Sequence, residues 1–164
     1  MSANKDQPHV MVLPEDDANR QLADGFYLQV ESNRQRRMQI LRPARGWTKV
    51  RDQFVSVHAR EMRDCPLRFM VLLLDFDSDI ERLARVRAQV PADLMERVFI
   101  IGALSEPEAL KQAGLGTYEE IGSGLAKDCR EETDTIWGHE LLQHNASELD
   151  RLRQHVRPIL FPSI

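Results

Sequence analysis

The residues of this chain best suited to chemistry are the acids that follow a run of apolar residues. The segment Phe69–Leu74 is entirely apolar, and Asp75, Asp77 and Asp79 follow it at alternate positions. If strand geometry persists, Asp75 and Asp77 point the same way, and two such carboxylates repel each other unless they share a proton or bind a cation. Mg²⁺ (or Mn²⁺) is the expected cation, since Mg²⁺ is usually held by one or two carboxylates with waters and phosphates. The alternative is that Asp77 and Asp79 only cap the next helix.

Further acids follow two other apolar segments. Glu15, Asp16 and Asp17 come after the first segment, and Glu106 and Glu108 after the last. In an open parallel sheet the carboxyl ends of the strands share one edge, where ligands bind. The sequence therefore predicts a rim of carboxylates that would be costly to hold together without cations.

A basic segment lies between these groups of acids. Residues 34–51 include six arginines and one lysine, with no acid from Arg34 to Arg51. Arg42, Arg45 and Lys49 follow the second predicted strand, so we expect them to border the acids. Acids that hold a metal beside bases that hold phosphate suit phosphodiester chemistry. The alternative is a solvated basic helix face.

The composition limits the class of protein. The chain has 164 residues and a formal net charge of −4, which argues against a surface built entirely for nucleic acid. Its two cysteines, Cys65 and Cys129, are far apart and lack metal-ligand spacing, so a disulfide framework or zinc site is not expected. There is no signal-peptide pattern and no apolar run of membrane-spanning length. We expect a cytoplasmic protein with no membrane partner.

The elements that would position these residues alternate along the chain. Apolar runs predict strands at 9–13, 37–41, 69–74 and 97–101, and helical spacing predicts helices at about 16–29, 46–62 and 79–90. Asp79 is the expected cap of the third helix and Ser105 the N-cap of a fourth. The expected fold is a single α/β domain with a four-stranded, mostly parallel sheet flanked by helices and a helical C-terminal extension.

The expected organisation has three parts. Residues 1–8 form a flexible tail, 9–104 the α/β core and 105–164 the helical extension, which packs on the core. The helices of the extension are expected to break at Gly114, Gly116, Gly122, Gly124 and Asn145. Its apolar stripe, which includes Trp137 and Leu149, either covers the sheet or offers a face to a second copy or a protein partner.

The order of these parts resembles the Toprim domain of bacterial primases, topoisomerases and overcoming-lysogenisation-defect family nucleases. That family has an acid after the first strand, a glycine after the second and Asp-x-Asp after the third. The matching residues here are Glu15, Gly46, and Asp75 with Asp77. The chain departs from the pattern at Asp16 and within 78–80, where the family commonly has glycine.

The resemblance implies a Toprim-like fold over residues 9–102 and Mg²⁺-dependent phosphodiester chemistry on DNA or RNA. Asp75 and Asp77 would be the metal ligands, and Glu15 an acidic residue that takes part in catalysis, as general base, or in metal binding. Gly46 would form a structural turn. Lesser metal candidates are Asp16, Asp17, Asp79, Glu106 and Glu108, and the candidate phosphate-binding residues are Arg42, Arg45 and Lys49.

Two alternatives remain open. The first is a receiver-like signalling domain in which Asp75 accepts a phosphoryl group, because Glu15–Asp17 resembles an acidic receiver pocket. A receiver needs a fifth strand ending in a lysine, and nothing after Gly116 predicts one. The second is a non-catalytic Toprim-like module that binds or assembles with a partner.

Overall fold

The four apolar segments form one parallel sheet in the computed structural model, which describes residues 2–162. Met1, from the expected tail, and Ser163 and Ile164, from the extension, lie outside the described residues. The sheet order is β2-β1-β3-β4, and each neighbouring pair is parallel. The predicted α/β class is confirmed. The strands are β1 (His9–Pro14), β2 (Met38–Ile40), β3 (Arg68–Leu73) and β4 (Val98–Ile101).

Helices connect the strands and cover both faces of the sheet. The connection after β2 is one continuous helix made of two α-helices, which a π-helical segment, Phe54–His58, joins. The predicted boundaries hold to within a few residues. The helices are α1 (Asp17–Tyr27), α2 (Trp47–Gln53), α3 (Ala59–Asp64), α4 (Glu81–Arg87), α5 (Pro107–Gln112), α6 (Tyr118–Glu131), α7 (Ala146–His155) and α8 (Arg157–Leu160).

The two faces of the sheet have separate cores. Val10 and Val12 of β1 pack with α1, α5, α6, α7 and α8, whereas Met11 and Leu13 pack with α2, α3 and α4. The chain therefore leaves β1 toward one face and leaves the neighbouring β3 toward the other. In a doubly wound sheet this switch point opens a crevice at the carboxyl ends of the two strands.

The outer edge of β4 is covered by side chains around α7. Glu148 Oε2 accepts a hydrogen bond from Ile100 N at 2.9 Å, and the Asn145 amide bonds both Gly102 N and Gly102 O. Arg151 Nη1 donates to Val98 O at 3.1 Å. These contacts satisfy backbone groups that an open edge strand would expose. The extension thus completes the sheet without a fifth strand.

Two of the expected helix breaks are wrong. Gly122 and Gly124 lie inside α6, and Gly122 meets α1 so closely that a Cβ there would lie 2.0 Å from Leu22 O. The reciprocal Gly25 of α1 would place a Cβ 2.1 Å from Glu119 O. These glycines permit a close helix crossing rather than a turn.

Other local expectations also change. The helix α5 begins one residue later than expected, so Glu106 and not Ser105 is its N-cap, with Pro107 at the first helical position. The basic segment is divided by β2, because Ser32–Arg37 forms a 3₁₀ turn before that strand. Arg34, Arg36 and Arg37 therefore lie at the amino edge of the sheet. Within the expected tail, Ala3 is buried and its N–H bonds Gln39 Oε1.

Candidate functional site

Glu15 and Asp75 meet directly at the switch point between β1 and β3. Asp75 N donates to Glu15 Oε2 at 2.7 Å, and Glu15 N donates to Leu73 O at 2.8 Å, which extends the strand pairing by one residue. Parallel pairing thus brings together an acid from each strand that are 60 positions apart in sequence. The sequence predicted that the two acids would lie at the same edge of the sheet, but not that they would be in contact.

The loop between β2 and α2 encloses Glu15. The backbone N–H groups of Arg45 and Gly46 donate to Glu15 O at 2.7 and 3.3 Å, and the backbone N–H of Trp47 acts on the Glu15 carboxylate and opposes the rise in its pKa. Gly46 has φ of 138°, a conformation that glycine adopts without the penalty of a Cβ. The predicted structural role of Gly46 fits this turn, which brings the start of α2 onto the acid.

Asp75 is held from the other side by α1. Asn19, which is fully buried, donates from Nδ2 to Asp75 Oδ1 at 2.9 Å and to Asp16 Oδ1 at 3.0 Å. Asp16 is also the N-cap of α1, because its side chain accepts from Asn19 N. Asn19 therefore links two candidate acids. It was not identified from the sequence, since a lone asparagine in a helix carries no recognisable pattern.

Burial changes the acidity of both central carboxyls. The pKa of Asp75 is raised from 3.8 to about 7, first by burial and then by the charges of Glu15, Asp16 and Glu108, against the hydrogen bond from Asn19. The pKa of Glu15 is also raised, mainly by burial, against the hydrogen bond from Asp75 N. Two acids destabilised in their charged forms at a switch point of the sheet are typical of functional sites.

Asp77 has a different environment. β3 ends at Leu73, and Asp77 and Ser78 both have left-handed backbone conformations, with φ of 50° and 58°. The Asp77 side chain is 75% exposed, and its Oδ2 lies 3.8 Å from Arg82 Nη2. The chain turns at these two residues, and Asp79 N donates to Phe76 O at 2.8 Å across the turn. The strand geometry on which a common direction of Asp75 and Asp77 depended therefore ends at Asp77, and the two side chains lie in different environments.

The lesser acid candidates divide into two groups. Asp17 pairs with Arg20 and Asp79 pairs with Arg85 on the surface. The N-cap of α4 is Ile80 and not Asp79 as expected, although Asp79 accepts a hydrogen bond from Glu81 N. The second group consists of Asp16, Glu106 and Glu108, whose negative charges all act on Tyr118. All three raise the pKa of Tyr118, after the larger effect of burial.

The candidate phosphate-binding residues are exposed and border this edge. Arg42, Arg45 and Lys49 lie in or just after the loop that follows β2. The pKa of Asp17 is lowered, first by its hydrogen bond with Arg20 and more weakly by the charge of Arg45. This places Arg45 near the start of α1.

Arg82 of α4 contacts the backbone of Asp75, and its importance was not identified from the sequence. Its Nη1 donates to Asp75 O at 2.8 Å, and its guanidinium lies 4.8 Å from the centre of the Trp47 ring. Arg82 lies within a charged helix that also contains Glu81, Arg85 and Arg87. Nothing in that pattern distinguishes it from a solvated residue.

The oxygen atoms at this edge suit a hard cation. Asn19 Oδ1 is buried and has no hydrogen-bond partner among the described residues, and it belongs to the side chain that bonds Asp75. No group of three or more His, Cys, Asp and Glu residues within 2–162 is arranged to hold a metal ion. Mg²⁺ does not require such a cage, because it retains waters and is commonly held by one or two carboxylates. The residues present fit this kind of binding through Glu15 and Asp75.

No protein-family model, curated protein or solved structure matches the chain. The Toprim resemblance therefore stays a prediction based on the short motifs. Of the helices in the described part of the chain, none is both long and apolar enough to cross a membrane.

Proposed function

We propose that the chain is a Toprim-like domain that carries out Mg²⁺- or Mn²⁺-dependent phosphodiester chemistry on nucleic acid. The observation that carries this proposal is the direct contact of Glu15 with Asp75 at the switch point. There, burial holds the pKa of Asp75 at about 7. A bound divalent cation would offset the cost of keeping this carboxylate ionised.

Each residue has a distinct role in the proposed reaction. Asp75 and Glu15 hold the cation, and Asp77, which is exposed at the same edge, is a further proposed ligand. When bound, the cation supplies an activated water and neutralises the leaving oxygen. Glu15, whose pKa is raised, accepts the proton of that water. Arg45 and Lys49 draw the phosphate backbone to the edge.

The test is the cutting of DNA and RNA oligonucleotides with Mn²⁺ or Mg²⁺. We expect cutting that disappears with EDTA and in Asp75→Asn and Glu15→Gln. Asp93→Asn is the matched control, because Asp93 lies before β4 at the opposite edge and pairs with Arg63 on the surface. Cutting by Asp75→Asn at the wild-type rate would refute the proposal.

A receiver-like domain is the second candidate. The order β2-β1-β3-β4 matches the beginning of the flavodoxin-like order, with Asp75 just after the third strand. Against it, Glu148, Asn145 and Arg151 occupy the edge of β4 where a fifth strand would pair. A stable adduct of beryllofluoride at Asp75 would favour the receiver.

Binding of Mg²⁺ and Mn²⁺ distinguishes the proposed function from a non-catalytic binding or assembly module. Calorimetric titration with Mg²⁺ and Mn²⁺ should show binding to the wild type if the proposed function holds. A chain that binds neither ion, cuts nothing and forms a complex through its C-terminal helices would be the module.

A further inference from the structure

Arg82 has hydrogen-bonding capacity that the described residues leave unused. A guanidinium carries five N–H donors. The Arg82 side chain is only 13% exposed, and its closest hydrogen bond is the one from Nη1 to Asp75 O. Its Nε is buried and has no partner among residues 2–162. Leaving a buried donor unpaired costs about 1–3 kcal/mol, so this arginine is poorly satisfied by the protein alone.

The unused donors lie along one edge of the guanidinium. Nε and Nη2 form a two-pronged edge that matches the spacing of two oxygens on a carboxylate or phosphate. Arg20 and Arg63 of this chain present that same edge to Asp17 and Asp93, with distances of 2.6 to 3.1 Å. Among the described residues, the ion pair at this edge of Arg82 is with Asp77, whose Oδ2 lies 3.8 Å from Nη2.

That contact is too long for a hydrogen bond. Because the Asp77 side chain is 75% exposed, it can move aside without disturbing the core. An incoming oxyanion could therefore replace it at the guanidinium edge.

Trp47 fixes where the guanidinium lies. The Trp47 ring is 4.8 Å from the guanidinium carbon of Arg82, a distance at which the aromatic face attracts the cation. The backbone N–H of the same Trp47 acts on the Glu15 carboxylate and opposes the rise in its pKa. The cation of Arg82 and the acids of the site are thus held in one arrangement by shared contacts.

We propose that the Nε–Nη2 edge of Arg82 binds a phosphate group of the nucleic-acid substrate, displacing Asp77. This assignment rests on the proposed function for its substrate class. A planar guanidinium stacked on an aromatic ring binds phosphate in a defined orientation, which an ammonium group does not. Arg82 would therefore orient the phosphate beside Asp75, while Arg42, Arg45 and Lys49 contribute only attraction to the backbone.

The test measures binding of a short fluorescent oligonucleotide by anisotropy, first in EDTA and then with Mn²⁺. We expect Arg82→Gln to weaken binding by about tenfold or more in both conditions. Arg82→Lys keeps the charge and should lose most of the same affinity. Arg85→Gln is the matched control, since Arg85 is on the same helix, 53% exposed and paired with Asp79 and Glu81.

The outcomes separate the two proposals. Unchanged binding by Arg82→Gln, or an equal loss in Arg85→Gln, would overturn the role of Arg82. If Arg82 had only a structural role, Arg82→Lys would have a lower melting temperature but would bind the oligonucleotide as tightly as the wild type. That result would also overturn the proposed role in phosphate binding. The wild type could bind no Mn²⁺ and cut nothing while Arg82→Gln, but not Arg85→Gln, binds the oligonucleotide more weakly. That result would support phosphate binding by Arg82 and refute the proposed metal-dependent cutting. Inorganic phosphate that binds more tightly than the oligonucleotide would identify free phosphate as the ligand.

Discussion

At the scale of single residues, Asp75 combines burial with a charge that the protein does little to compensate. Its side chain accepts one hydrogen bond from Asn19, while Glu15, Asp16 and Glu108 all repel the ionised form. Natural proteins tolerate such destabilising groups where function requires them. The cost should be visible in the stability of the free protein.

We predict that Asp75→Asn stabilises the protein at neutral and alkaline pH. The folded pKa of about 7 lies above the ordinary 3.8, so folding loses stability as pH rises from about 4 to about 7. The rise corresponds to about 4 kcal/mol in a dry site, and we expect about half of that at a rim open to solvent. Urea unfolding at pH 5 and pH 8 measures it: the variant should gain more at pH 8. An equal difference at both pH values would contradict the prediction.

A second residue, His9, should produce the opposite dependence at the amino edge of the sheet. His9 is fully buried, its Nε2 accepts from Arg68 Nε at 3.0 Å and its Nδ1 donates to Gln7 O. Burial and the charges of Arg68 and Lys5 lower its pKa. The folded protein therefore resists a proton that the unfolded chain accepts near pH 6.5, and stability is lost as pH falls below that value.

We predict that His9→Gln reduces this acid sensitivity. A glutamine can still accept from Arg68 and donate to Gln7 O, but it does not titrate. Asp75 opposes this dependence over the same pH range because its folded pKa is about 7, so both proteins are compared in an Asp75→Asn background. In that background, unfolding free energies at pH 7.5 and pH 5.5 should differ less with His9→Gln than without it. His58 and His144, whose pKa values burial also lowers, add to the dependence that remains. A variant that keeps the full difference would show that His9 is not a source of it.

At the scale of elements, the sequence predicted the strands well because short apolar runs with flanking acids and prolines leave few alternatives. The helix boundaries around Gly122 and Gly124 were mispredicted for a physical reason. A glycine inside a helix breaks the pattern locally, and only its partner helix shows that the missing Cβ makes room. That partner, α1, is about a hundred residues earlier in the chain.

We predict that Gly122→Ala destabilises the protein by about 3 kcal/mol or more, because its Cβ would lie 2.0 Å from the backbone at Leu22 O. Gly124→Ala is the matched control on the same helix. Its Cβ would meet only the side chain of Ile136, at 2.7 Å, and the better helix propensity of alanine offsets about 1 kcal/mol. Thermal unfolding of the two variants should differ clearly. Equal losses would mean that the crossing of α1 and α6 is looser than described.

At the scale of the whole molecule, the sequence predicted which segments carry acids but not which strands are neighbours. The contact of Glu15 with Asp75 depends on β1 lying beside β3, and that order results from packing over the entire chain. The same holds for Arg82 and Asn19, whose importance comes from what they touch and not from their type or spacing. Spacing along a chain identifies ligands within one element. Residues that several elements bring together become visible only in the fold.

The whole-molecule charge distribution leads to the last prediction, which rests on the proposed function. A chain of net charge −4 with Glu15, Asp75 and Glu108 near one edge repels a polyanion there until a cation neutralises the acids. Mn²⁺ should therefore tighten oligonucleotide binding by about tenfold, and oligonucleotide should tighten Mn²⁺ binding by the same factor, since coupling between two ligands is reciprocal. Calorimetry with each ligand in the presence and absence of the other measures both factors, with a nuclease-resistant oligonucleotide used to prevent cutting. Asp75→Asn removes a charge and a ligand together, so it should bind oligonucleotide in EDTA more tightly than wild type and gain little from Mn²⁺. Equal affinity with and without the ion would place the cation and the nucleic acid at separate sites.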